Sequence, residues 1–147
     1  LEKVLEAGRC APTACNWQPF YFVVLRGGEV SRLKAAYGRD WFLAAPVAIA
    51  VCCDRTKSWK RGDGKEYGDV DAAIAMDHMI LAAQELGLGT CWIGAFNANE
   101  VSKALGLPRH VEPVVLTPLG YPDQRPDAKP RKELRDLVCW GRFDKGE

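Results

Sequence analysis

The stretch DVDAAIAMDHMILAAQEL, Asp69 to Leu86, decides how the rest of the chain is read. Its polar positions are Asp71, then Asp77 and His78, then Gln84 and Glu85. They recur at about two turns of α-helix and so form one narrow stripe. Nearly everything else is Ala, Ile, Met, Leu or Val. A helix apolar over so much of its circumference must be covered on most sides, and its alanines let another backbone come close. It is the central core helix, a subunit interface, or both. Gly87-Leu88-Gly89 ends it, with a glycine supplying the left-handed cap.

Upstream, VAIAVCC (Val47 to Cys53) is a continuous apolar run bounded by Pro46 and Asp54, the signature of a strand buried on both faces. Phe20 to Leu25 reads as a second strand, stopped by Gly27-Gly28. Leu1, Val4, Leu5 and Gly8 fall at helical spacing, and Glu29 to Tyr37 reads as a short amphipathic helix. Downstream, TCWIGAF (Thr90 to Phe96) is a strand broken by Gly94. Asn97 and Glu100 form a capping pattern for a helix through Leu105, closed by Gly106. Val111 to Leu119 is a strand interrupted by Pro113 and Pro118, and a proline-rich basic run then leads to LRDLVCW. Helices alternating with four strands predict α/β or α+β, with helices on both faces of one sheet.

The 147 residues suit one domain, and a net charge of +1 gives no field for nucleic acid or an anionic membrane. No apolar run reaches the roughly 18 residues of a membrane span. The cysteines at 10, 15, 52, 53, 91 and 139 form no C-x-x-C pair and mostly sit in apolar stretches, which points to a reduced, cytoplasmic protein. Arg55 to Tyr67 is polar and aperiodic and reads as a solvated surface loop, its basic excess a weak pointer to an anionic ligand. His78 belongs to the polar stripe and His110 to a helix-to-strand turn. Neither has partners at metal-ligand spacing.

GLGTCWIG invites comparison with a dinucleotide fingerprint, but Trp92 stands where the third glycine belongs, and the stretch follows a helix and opens a strand. More informative is the connector RCAPTACNWQPF, Arg9 to Phe20. It crowds Thr, Asn and Gln between Pro12 and Pro19, where a plain reversal needs little more than a glycine. Those side chains either bond the local backbone or serve a ligand.

Three segments in order, the connector, GTCWIGAF and the run LGYPDQRPDAKPRKEL, resemble the nitroreductase family of flavin oxidoreductases over nearly the whole chain. The family pattern P-[ST]-x-x-N-x-Q-P is matched by Pro12, Thr13, Asn16, Gln18 and Pro19. The resemblance implies an α+β, three-layer α/β/α fold with a mixed, mostly antiparallel sheet. It implies FMN held at the interface of a homodimer built on the helix at 69–86. Lys129 and Arg131 match the family's phosphate pair. Pro12, Thr13, Ala14 and Asn16 are implied at the ring, from the neighbouring subunit, and Trp92, Ile93 and Gly94 beside its hydride-accepting nitrogen. Trp92 faces either the ring or the core.

The implied activity passes hydride from NAD(P)H through flavin to a nitroaromatic, quinone or similar acceptor by a ping-pong mechanism, with no catalytic side chain named and no metal. The rival is a flavin-binding or regulatory homodimer without turnover. Relatives with other flavin chemistry usually carry a substrate lid, for which the loop at 55–67 is short. Two departures stand out. The family's basic opening stretch has no counterpart here, so an N-terminal segment is expected to be absent. In addition, GRDWFLAAP offers Arg39, Asp40 and Trp41 where some members use Asn and Lys.

Overall fold

The computed structural model describes residues 1–145. At its centre lies β2 (Val47–Asp54), buried along almost its whole length, as an uninterrupted apolar run requires. It pairs antiparallel with β1 (Phe20–Arg26) on one side and β4 (Val111–Gly120) on the other. The two-residue β3 (Gly89–Thr90) pairs antiparallel with β4, giving the order β1-β2-β4-β3.

Alternation along the strands sends side chains to two cores. Ile49 and Val51 pack with Val115 and Leu119 against Val4 of α1 (Glu2–Arg9) and Ala72, Met76, Met79 and Ala83 of α3 (Gly68–Glu85). Ala48, Ala50 and Cys52 face the other way. They meet Val30, Leu33, Phe42 of α2 (Asp40–Leu43) and Val101 of α4 (Ala98–Leu105). Helices therefore cover both faces, as the α+β three-layer expectation requires. Every strand pairing among the described residues is antiparallel.

Gly8 sets the spacing of one layer. A β-carbon there would sit 2.9 Å from Met79 Cγ and 3.0 Å from Phe22 Cζ, so its absence lets α1 lie directly on α3 and β1. Buried Cys52 and Cys53 have thiols pushed up to about 12 and about 11 by desolvation, which leaves them inert packing groups.

The structure departs from the sequence reading in four places. The expected helix over Glu29 to Tyr37 is instead a tight 3-10 segment, Gly27–Leu33, which suits the three-residue spacing of buried Val30 and Leu33. Asp40–Leu43 forms an unanticipated single turn that sinks Phe42 into the core and leaves Trp41 outside. β4 runs through Pro113 by a bulge: Val51 pairs with Val115 and Cys52 with Pro113.

The expected strand Thr90 to Phe96 shrinks to β3 and a single bridge between Ile93 and Leu116. Pro118 is the cause. Leu116 donates its N–H towards Ile93, and two residues on, facing the same way, Pro118 has no N–H to give. The Thr117 hydroxyl bridges what pairing is left there, accepting the Cys91 N–H at 3.2 Å and donating to the Pro118 carbonyl at 2.9 Å.

Much of the basic charge of the loop at 55–67 is paired within the chain. Arg55 bridges Glu66, Asp69 and Glu112, Arg61 pairs with Asp63, and Lys57 pairs with Asp54. These pairs commit Arg55, Lys57 and Arg61, three of the loop's five cations, to carboxylates of the chain itself. The proline-rich run after β4 is extended and exposed and leads to a single turn, α5 (Leu134–Leu137). Among the described residues, no helix is long and apolar enough to cross a membrane.

Candidate functional site

The connector leaves α1 at Cys10, runs extended through Thr13 (φ −132°, ψ 158°) and makes one 3-10 turn over Ala14–Asn16. Cys15, Asn16 and Gln18 all have positive φ, at 52°, 55° and 50°. Each such non-glycine residue costs about 1–3 kcal/mol and persists only where its surroundings over-determine it. Here the Gln18 N–H donates to Thr13 Oγ1 at 3.1 Å, and Gln18 Nε2 donates to the Asn16 carbonyl at 3.2 Å. The Ala14 N–H donates to Oδ1 of Asp71, on α3, at 2.9 Å. Thr13 and Gln18 therefore serve the loop itself, while the exposed Asn16 side chain has no hydrogen-bond partner among the described residues.

Pro12, Thr13, Ala14 and Cys15 form one wall of a cleft of about 410 Å³, closed opposite by Trp59, Tyr67, Asp71 and Ile74. Asp71 is the residue that sequence reasoning misplaced. Assigned to a polar stripe, it is 2% exposed, with Oδ2 unpartnered. Burial pushes its carboxyl up from the ordinary range, and the Ala14 hydrogen bond opposes that shift. The available signal was its place in the first turn of a helix otherwise apolar on that side.

The second group lies beyond β4. The Ile93 side chain is in the core, its N–H donates to the Leu116 carbonyl at 2.9 Å, and its carbonyl accepts from Leu116 at 3.0 Å. Ile93 has no backbone group left to offer. Gly94 is the reverse case: its N–H has no partner among the described residues, and a β-carbon there would meet only Trp92 Nε1, at 4.0 Å. Trp92 is 47% exposed and so stands outside the core. Nearby, Trp41, Cys91 and Tyr121 line a cleft of about 650 Å³.

Lys129 and Arg131 flank Pro130 on the extended segment after β4. Both are exposed and form no ion pair among the described residues. Such uncommitted cations, held apart by a proline, are suited to a multiply charged anion.

These groups do not converge within one protomer. The connector leads into β1 and the Trp92–Gly94 segment follows β3, and these strands are the opposite edges of the sheet. Three inter-strand spacings separate the edges, roughly 14 Å. Pro12, Thr13 and Ala14 share a cleft with Asp71, and Trp92, Ile93 and Gly94 are not part of its lining.

Residues 29–121 match the profile of the nitroreductase family. Over 135 residues the chain is 32% identical to a relative from Methanothermobacter thermautotrophicus, an alignment covering 88% of this chain and 69% of that protein. It is 32% identical over 149 residues to the Bacillus subtilis protein named FMN reductase [NAD(P)H], covering 89% of this chain and 60% of that one. The crystal structure of a nitroreductase family protein from Clostridium difficile superposes with a TM-score of 0.88 at 36% identity, covering 97% of this chain and 85% of that one. A connector, sheet and long helix of this form, together with these likenesses over most of the chain, place the protein in the nitroreductase family.

Proposed function

We propose that the chain is an FMN-dependent NAD(P)H oxidoreductase acting on nitroaromatic, quinone or similar flat acceptors by a ping-pong mechanism, as a cytoplasmic homodimer. The observation that carries this reading is a set of binding groups left without internal partners. These are the exposed cations Lys129 and Arg131, the Gly94 N–H over open ground and the exposed Asn16 amide. Their chemistry fits FMN. Lys129 and Arg131 suit its phosphate dianion, and Gly94 lets a flat ring approach the backbone without a side chain intervening. Pro12, Thr13, Ala14 and Asn16 serve the ring of a second copy, because one protomer keeps them on the far edge of the sheet from Gly94. FMN, when bound, supplies the acceptance of hydride from NAD(P)H and its delivery to the acceptor. The chain's own part is to bind, orient and partly shield it.

Two apolar surfaces support the dimer. On α3, Leu81 is 61% exposed and Val70 also faces outward, as does Leu86 just after the helix. Along the C-terminal arm, Leu134, Leu137, Trp140 and Phe143 are all exposed. Patches of this kind on a small domain mark interaction surfaces.

The test is reconstitution with FMN, followed by NADH or NADPH oxidation with a quinone or a nitroaromatic acceptor. Turnover from protein holding about one FMN per subunit supports the reading; a fully loaded protein without turnover would leave a flavin-binding dimer instead.

A further inference from the structure

We propose that Asp71 is a positioning residue for flavin binding: through its hydrogen bond to the Ala14 N–H it holds the left-handed turn that presents Asn16. The inference rests on the flavin reading above and assigns a role to a residue outside the family pattern.

Three observations carry it. First, the Ala14–Asp71 bond is the one hydrogen bond tying the 3-10 turn to α3; the other hydrogen bonds of Thr13 to Gln18 join that segment's own residues, and the next outside tie is the Asp54 N–H on the Pro19 carbonyl. Ala14 opens the turn, and the next two residues sit at φ 52° and 55°. These conformations are unfavourable for side chains other than glycine and need an outside anchor. Second, the anchor is built at a cost. Asp71 is 2% exposed beside Ala72 and Ala75, and its second oxygen has no partner. A residue retained for packing here would be apolar, because a buried acceptor without a donor destabilises the fold. Third, the cost falls on the wall of the cleft formed by Pro12, Thr13 and Ala14, the residues assigned to the ring. Asp71 acts through the loop, its Oδ1 engaged by the Ala14 N–H.

The test is an FMN titration of the apoprotein, followed by flavin fluorescence, together with thermal melting and turnover at saturating FMN. Asp71→Asn keeps an oxygen for Ala14 and is expected to bind FMN within about threefold of the wild type. Asp71→Ala loses the anchor and is expected to bind at least about tenfold more weakly, the loss of one such bond. Its turnover at saturating FMN should be close to normal, because the reacting groups are intact. A purely structural role would shift melting without this selective loss of affinity and its rescue by Asn. Should Asp71→Ala fail to fold, Asp71→Leu removes the same acceptor while filling the buried position with an apolar side chain, and it touches none of the residues assigned to the ring. Unchanged affinity in the deciding variant overturns the proposal, as does Asp71→Asn binding as weakly as Asp71→Ala. Wild-type protein that takes up no FMN overturns the flavin reading itself and this inference with it.

Discussion

Ile93 and Leu116 exchange both backbone hydrogen bonds, at 2.9 and 3.0 Å, and this bridge turns the N–H groups of the two flanking residues, Trp92 and Gly94, away from β4. The strand stops where the site begins. Because a β-carbon at Gly94 meets nothing closer than 4.0 Å, substitution there separates function from fold. Gly94→Val is expected to change stability by no more than about 0.5 kcal/mol. By obstructing the ring, it should lower NAD(P)H oxidation by about a hundredfold. Thermal melting and steady-state kinetics on the same preparation check both halves.

Lys129 and Arg131 have no internal ion pair to lose among the described residues. Changing either to Ala is therefore expected to leave apoprotein melting unchanged. FMN affinity should weaken by about 1.5–3 kcal/mol for each charge-assisted contact removed. Equilibrium titration in low and high salt checks the assignment, since the wild type should be the more salt-sensitive protein.

Asp71 makes a pH prediction whose sign follows from its burial. Its carboxyl is pushed up in the folded protein, so the fold favours the protonated form. Relative stability is thus present below the ordinary carboxylate pKa and is lost as pH rises from there through the raised folded value. Asp71→Asn does not titrate. The difference in melting temperature, variant minus wild type, is therefore expected to grow from acid towards neutral pH and then level off. A difference that shrinks over that range contradicts the assignment.

Gly8 tests the packing of the layer that carries α3. Gly8→Val forces side-chain atoms into Met79 and Phe22, where a single β-carbon already comes within 3.0 Å. Overpacking of this kind is expected to cost about 1–3 kcal/mol in urea unfolding.

Leu81 tests the second copy. It lies on the outward face of α3 and is well exposed in one protomer, so Leu81→Asp should leave the protomer folded by circular dichroism. In analytical ultracentrifugation the variant is expected to sediment as a monomer. Flavin uptake should fall with it, since Pro12 to Asn16 then come from no partner.

The parts of the fold written in local chemistry were legible in the sequence. VAIAVCC became the buried central strand, and Asn97 caps α4, its side chain accepting from the N–H groups of Asn99 and Glu100. Gly106 closes that helix at φ 65°. What escaped depends on residues far apart in the chain. Thr90 to Phe96 has strand composition, but Pro118 on the neighbouring strand withholds the donor it needs. Asp71 has the spacing of a solvent stripe, but the connector, 57 positions away, packs over it. The basic loop at 55–67 shows an excess of cations, but Arg55 is matched to carboxylates on β4 and α3, of which Glu112 is 57 positions away. The candidate site was legible as residue types. The resemblance already implied the connector from a neighbouring subunit, and the strand order adds that the connector and the Trp92–Gly94 segment adjoin opposite edges of the sheet.

The decisive measurement is the visible absorbance of the FMN-reconstituted protein under anaerobic conditions as NADH or NADPH is added. The flavin band is expected to bleach on addition of the nicotinamide and to return when a quinone is supplied. Bound flavin that stays oxidised in excess NADH and NADPH alike would contradict the oxidoreductase reading.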